Sequence, residues 1–135
     1  MRIMALDYGD RRIGVAMSDP MGIIAQGYDV ISSRGEENDI NAICEIVKKE
    51  HVEEIVLGLP YNMNGSEGFR AEKTRAFAEA LGSKTDVPIK FLDERLTTRE
   101  AEQVLIMHGT RRENRKKVID KMAATIILQT YLSMK

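Results

Sequence analysis

The sequence predicts an α/β fold: a five-stranded mixed sheet, an antiparallel meander followed by parallel strands, flanked by helices. Two observations predict it. Short apolar runs separated by turn residues fill the first third of the chain, and from Ser33 onward such runs alternate with stretches of helical period. The resulting order, β-β-β-α-β-α-β-α-α, leads a meander into βαβ units. The first strand then lies centrally, beside the fourth.

Each element has its own signal. Arg2 to Tyr8 is an apolar run bounded by Gly9, and reads as a buried strand. Gly9 to Arg12 turns the chain, and Ile13 to Ser18 returns antiparallel to it. Asp19-Pro20-Met21-Gly22 is a second turn, with a third strand within Ala25 to Ser32. Ser33 and Glu36 have capping-box spacing, and Ile40, Ile43, Cys44 and Val47 then mark a helix to about Glu50. Glu54 to Pro60 is apolar on both faces, as a central parallel strand is. A Gly/Asn-rich loop, Tyr61 to Gly68, precedes a helix from Phe69 to Leu81 that Gly82 stops. Pro88 to Glu94 is the fifth strand. Thr97 and Glu100 open another helix, with Ala101, Val104 and Leu105 as its stripe. Residues 108–117 read as a polar basic connection, and the last helix runs from about Val118 to Leu132.

Composition excludes several classes. With 135 residues, 43% hydrophobic and 30% charged, the chain reads as one globular domain over 1–135 rather than a disordered or coiled-coil segment. No apolar run approaches the ~20 residues of a membrane span. Asp7 interrupts any signal-peptide core, so a cytoplasmic protein is expected. The single cysteine, Cys44, excludes an internal disulfide framework and a cysteine-based zinc cluster. The net charge of −1 hides an asymmetry: residues 1–67 carry 6 Lys/Arg against 12 Asp/Glu, and residues 68–135 carry 14 against 9. A basic second half is compatible with a polyanionic partner.

Three acids stand where acids are costly. Asp7 lies in an apolar strand, where a carboxylate needs a hydrogen bond, a partner or a metal; a strand-end turn former is the alternative. Asp93 and Glu94 end the fifth strand, at the edge where open α/β sheets gather ligands. Alternation sends one of them towards Asp7 and the other away, unless Glu94 simply pairs with Arg95. Asp120 shares a helical face with Ala124, Ile127 and Tyr131, the face that packs on the sheet. A dipole-favoured acid in a first helical turn is its alternative reading. Three gathered carboxylates need a counterion, and Mg²⁺ or Mn²⁺ satisfies oxygen-only donors. Two such ions about 4 Å apart are the usual apparatus of phosphodiester hydrolysis.

The motifs Leu6-Asp7-Tyr8-Gly9-Asp10-Arg11-Arg12-Ile13-Gly14, Gly58-Leu59-Pro60-Tyr61-Asn62, Asp93-Glu94-Arg95-Leu96-Thr97-Thr98 and Asp120-Lys121-Met122-Ala123-Ala124 occur in this order along nearly the whole chain. Together they resemble the YqgF/RuvX family, which is similar to the RuvC resolvase. The resemblance implies an RNase H-like fold, with Asp7, Glu94 and Asp120 as metal-binding catalytic acids. It implies a nuclease acting on structured nucleic acid: processing of the 5′ end of pre-16S rRNA in ribosome biogenesis, or resolution of Holliday junctions. Precursor rRNA, ribosomal particles or branched DNA would be the partners of a monomer or homodimer. Arg95 and Thr97 belong to the third motif and would support the site or touch phosphate. Arg11 and Arg12 on the hairpin, and Arg111, Arg112, Arg115, Lys116 and Lys117 before Asp120, are further candidates for gripping nucleic-acid backbone. Asn64 stands where many relatives carry an acid, so the 61–68 loop is expected to hold no metal, although its exit into a helix N-terminus suits a phosphate.

Two other classes compete. Asp7-Tyr8-Gly9 before a basic hairpin also resembles the phosphate loop of actin- and sugar-kinase-like ATPases, which are much longer. A non-catalytic nucleic-acid-binding module would have no use for three acids.

Overall fold

The computed structural model describes residues 1–61, 65–96 and 112–135. Strands β1 (Ile3–Tyr8), β2 (Arg12–Ser18) and β3 (Ala25–Ser32) form the meander. Helix α1 (Glu36–Glu50), β4 (Glu54–Leu59), α2 (Phe69–Gly82) and β5 (Ile89–Asp93) follow. A single 3₁₀ turn (Glu94–Leu96) continues β5, and helix α3 (Arg112–Ser133) comes last. The sheet order is β3-β2-β1-β4-β5, with β1–β2 and β2–β3 antiparallel and β1–β4 and β4–β5 parallel. The expected mixed sheet, with β1 central beside β4, is therefore present.

Strand alternation sorts the core into two layers. Met4 and Leu6 of β1 face α1 and α2, packing with Ile13, Val15, Ile43, Leu57, Phe77 and Leu81. Ile3 and Ala5 face α3, packing with Ala16, Val56, Leu92, Ala124, Ile127 and Leu128. Ile127 and Leu128 are fully buried, each worth roughly 1.5–3 kcal/mol of transfer free energy. The predicted face of α3 is the packed one, and Lys121 and Gln129 are exposed.

Three expectations need correction. The Ser33–Glu36 capping box does not form. Gly35 is the N-cap of α1 at φ 100°, and no side chain caps it. Ser33 instead donates its hydroxyl to Asp39 at 2.6 Å, and the Arg34 amide donates to the same carboxylate at 2.9 Å. Next, α2 runs one residue further than predicted, ending on Gly82 with a right-handed cap at Ser83. Finally, α3 begins at Arg112 within the basic run, not near Val118. That run lacks apolar period, but its Arg, Glu and Lys residues are good helix formers and extend a helix already anchored by packing. The helix expected after Thr97 lies outside the described residues, among which no helix is long and apolar enough to cross a membrane.

Candidate active site

The site stands at the carboxyl edge of β1, β4 and β5, on the α3 side of the sheet. Asp7 follows Ile3 and Ala5 in alternation, so its side chain projects towards α3. Its register partner on β2 is Gly14. An added Cβ at Gly14 would lie 2.0 Å from the Asp120 carbonyl oxygen, so this missing side chain lets α3 lay Asp120 over Asp7. Gly58 of β4 does the same for Glu94: a Cβ there would meet Glu94 Oε1 at 2.6 Å and Ile127 Cδ1 at 2.6 Å. The 3₁₀ turn after β5 folds Glu94 back over that gap.

Alternation separates the two acids of β5 as expected. Glu94 goes to the α3 face and hydrogen-bonds Asp7. Asp93 goes the other way and takes Arg95, accepting from Nε at 2.9 Å and Nη2 at 2.6 Å. Arg95 thus pairs with Asp93 rather than Glu94, and its guanidinium also lies 5.2 Å from the Tyr61 ring centre. Arginine pairing holds the Asp93 carboxyl below the usual carboxylate range.

Electrostatics mark the Asp7–Glu94 pair as short of positive charge. Burial, and then the Asp7 charge, push Glu94 up to about 8. Burial also raises Asp7, and the charge of Asp120 adds to the rise. In their hydrogen bond the raised Glu94 carboxyl is the donor and Asp7 the acceptor. Asp120 is engaged otherwise: Arg12 Nε donates to its Oδ2 at 2.5 Å, and both side chains are mostly buried. Among the described residues no three His, Cys, Asp or Glu side chains are drawn together as a metal-binding set.

Other expected residues fall as follows. Arg11 is exposed on the β1–β2 turn. Arg12 is turned to Asp120. Thr97 and Arg111 lie outside the described residues, and Arg112, Arg115, Lys116 and Lys117 fall on α3. In the 61–68 loop, Tyr61 bridges Glu67, and Glu67 pairs with Arg75.

Sequence reasoning missed three contributors. Gly14 and Gly58 could have been found, since a glycine inside a strand signals a close approach. Arg70, in the first turn of α2, lowers both Asp7 and Glu94 electrostatically. Nothing in the sequence marked it out. Its position follows from neighbours on the same helix: Phe77 stacks on Tyr8 with ring centres 4.3 Å apart, and Lys73 pairs with Asp10 at 2.7 Å.

Comparison with known proteins bears on the family and the fold. A family model described as "RuvX: Holliday junction resolvase" matches residues 1–134. A protein of Halothermothrix orenii named "Putative pre-16S rRNA nuclease" is 56% identical over 133 residues, covering 98% of this chain and 95% of the relative. A protein of the same name from Pelotomaculum thermopropionicum is 54% identical, covering 98% and 86%. Among solved structures, Thermus thermophilus RuvC in complex with a Holliday junction substrate superposes with a TM-score of 0.62 at 12% identity, covering 99% of this chain and 96% of RuvC. Fowlpox virus resolvase with junction DNA gives 0.60 at 14% identity, covering 99% and 98%. At such identities these two matches speak to the fold alone, which is RNase H-like.

Proposed function

The chain belongs to the RuvX family, and on that premise we propose that it is a metal-dependent endonuclease that cleaves phosphodiester bonds of precursor 16S rRNA. The observation that carries this reading is the half-buried Asp7–Glu94 pair, hydrogen-bonded at a strand edge with the charge of Asp120 acting on it. The donor set fits a hard dication, since it is carboxylate oxygen only. Asp7, Glu94 and Asp120 would hold Mg²⁺ or Mn²⁺, which supplies activation of water and stabilisation of the leaving oxygen.

The remaining work belongs to the chain itself. Asp7 is fixed by the central strand and Glu94 by the 3₁₀ turn, so neither needs a costly reorganisation before reaction. Burial and the neighbouring Asp7 raise Glu94, so a nearby cation would favour its charged form. Arg70, exposed in the first turn of α2, acts on Asp7 and Glu94 through its charge. Arg95, exposed and braced by Asp93, is available to a phosphate, as is Arg11. The basic residues Arg112, Arg115, Lys116 and Lys117 precede Asp120 on its helix, and Thr97 and Arg111 complete the contact set; they would grip the backbone in a salt-dependent way.

The relatives' name favours precursor rRNA as substrate. The description of the family model favours a second reading, resolution of four-way DNA junctions. Cleavage of both substrates in Mg²⁺, wild type against Asp7→Asn, tests the proposal. The expected result is cutting of precursor rRNA by wild type and a loss of at least about a thousandfold in the variant, the scale set by losing the group that organises catalysis. Undiminished cutting by Asp7→Asn would refute the assignment, and cutting of the junction alone would select the second reading.

A further inference from the structure

The Arg12–Asp120 ion pair is built where a cation belongs. Arg12 opens β2. Its carbonyl accepts the Gly9 amide at 3.0 Å, and its Cα is paired with Ser32 on β3, so its backbone is held on two sides. From there the side chain reaches an acid 108 residues away in sequence. The contact runs through Nε to one carboxylate oxygen, unlike the two-nitrogen grip of Arg95 on Asp93. A one-point contact fixes less geometry and gives way more readily than a fork. The pair is nonetheless sheltered, with side chains only 28% and 19% exposed.

Charge accounting explains why it is there. Asp7 and Glu94 hydrogen-bond each other, Asp120 lies close enough to act on Asp7 through its charge, and Arg12 is the cation paired with Asp120. Taking that cation away leaves a half-buried carboxylate without its ion pair, which is costly. A dication therefore enters by exchange: Asp120 must leave the guanidinium before it can join Asp7 and Glu94.

We propose that Arg12 is a positioning residue that stands in for a divalent cation on Asp120, and that metal loads by displacing it. The inference rests on the metal-dependent reading above. It assigns Arg12 a place inside the site rather than only on the substrate face. By linkage, whatever the pair adds to the metal-free protein is subtracted from metal affinity.

The test is Mn²⁺ binding, followed by calorimetry and by the electron paramagnetic resonance signal of free Mn²⁺, with no nucleic acid present. Arg12→Gln is expected to bind Mn²⁺ about tenfold more tightly than wild type, within the usual range of coupling between competing ligands. Arg12→Lys, which keeps a cation, should fall between them and serves where Arg12→Gln does not fold. In an Asp120→Asn background the same Arg12→Gln change should leave affinity unchanged. A merely structural role would weaken binding or leave it alone, so unchanged or weaker affinity in Arg12→Gln, with wild type binding normally, overturns this proposal only. If neither wild type nor variant binds Mn²⁺, the metal-dependent reading falls, and this proposal with it.

Discussion

Replacing Gly14 by alanine adds one methyl group at the point where α3 crosses the sheet. The new Cβ would sit 2.0 Å from the Asp120 carbonyl oxygen and 2.6 Å from its carbonyl carbon, both backbone atoms that no rotamer change can move. Ordinary contact begins at 3.4 Å, so α3 must retreat by about 1.4 Å around Asp120. Overpacking of this kind costs roughly 1–3 kcal/mol of stability. It is partly offset by about 0.5–1 kcal/mol, because alanine loses less backbone freedom than glycine on folding. The larger effect falls on activity. Displacing a reacting group by about 1 Å costs on the order of a hundredfold in rate. Urea unfolding and Mg²⁺-dependent cleavage of precursor rRNA measure the two effects separately. Gly82→Ala is the matched control: its Cβ meets nothing nearer than 3.7 Å, inside α2 and away from the acids. It should gain about 0.5–1 kcal/mol and leave cleavage unchanged. Wild-type rate and stability in Gly14→Ala would show that α3 does not depend on this close approach, and the geometric account of the site would fail.

The remaining predictions concern pH and packing. Folding raises Glu94 from an ordinary 4.5 to about 8, so its contribution to stability is full below about pH 4.5 and is lost as pH rises through 8. Asp7 is raised too and acts in the same direction. Urea midpoints of the metal-free protein should therefore fall between pH 5 and 9 by the equivalent of a few kcal/mol. Glu94→Gln, which keeps a donor for Asp7, should flatten that slope; an equally steep slope in the variant would contradict the assignment. Phe77 is 1% exposed and stacked on Tyr8, so Phe77→Ala should cost about 3–5 kcal/mol in chemical denaturation. A loss under about 1 kcal/mol would mean that α2 is not anchored there. Tyr131 donates its hydroxyl to buried Glu54, so Tyr131→Phe should cost about 1–3 kcal/mol. Thermal melts check this, and an unchanged melting temperature would show that Glu54 is satisfied without it.

Much of this architecture was legible in the sequence because burial leaves periodic marks. The apolar runs of β1 and β2 and the Ala124–Ile127–Tyr131 face of the last helix predicted a sheet with helices packed on it, and the structure shows these segments in its two core layers. Asp7 and Asp120 were visible as acids interrupting those marks. What stayed hidden is long-range pairing. That Asp120 rests on Arg12, or that the charge of Arg70 acts on Asp7, depends on the proximity of segments with no shared pattern. Capping failed for a related reason. Ser33 had the right spacing to Glu36, but Asp39 offered its hydroxyl a carboxylate, and the backbone turned at Gly35 instead. The start of α3 was missed because hydrophobic period was used to find it, and a helix already begun can extend through residues without that period.

The most direct test of a shared three-carboxylate centre is the anomalous scattering of manganese in crystals grown with Mn²⁺. The account predicts a peak at about 2.1 Å from oxygens of Asp7, Glu94 and Asp120, with the Arg12 guanidinium no longer on Asp120. Manganese bound elsewhere, or an Asp120 still held by Arg12 while the metal sits on the other two acids, would contradict it.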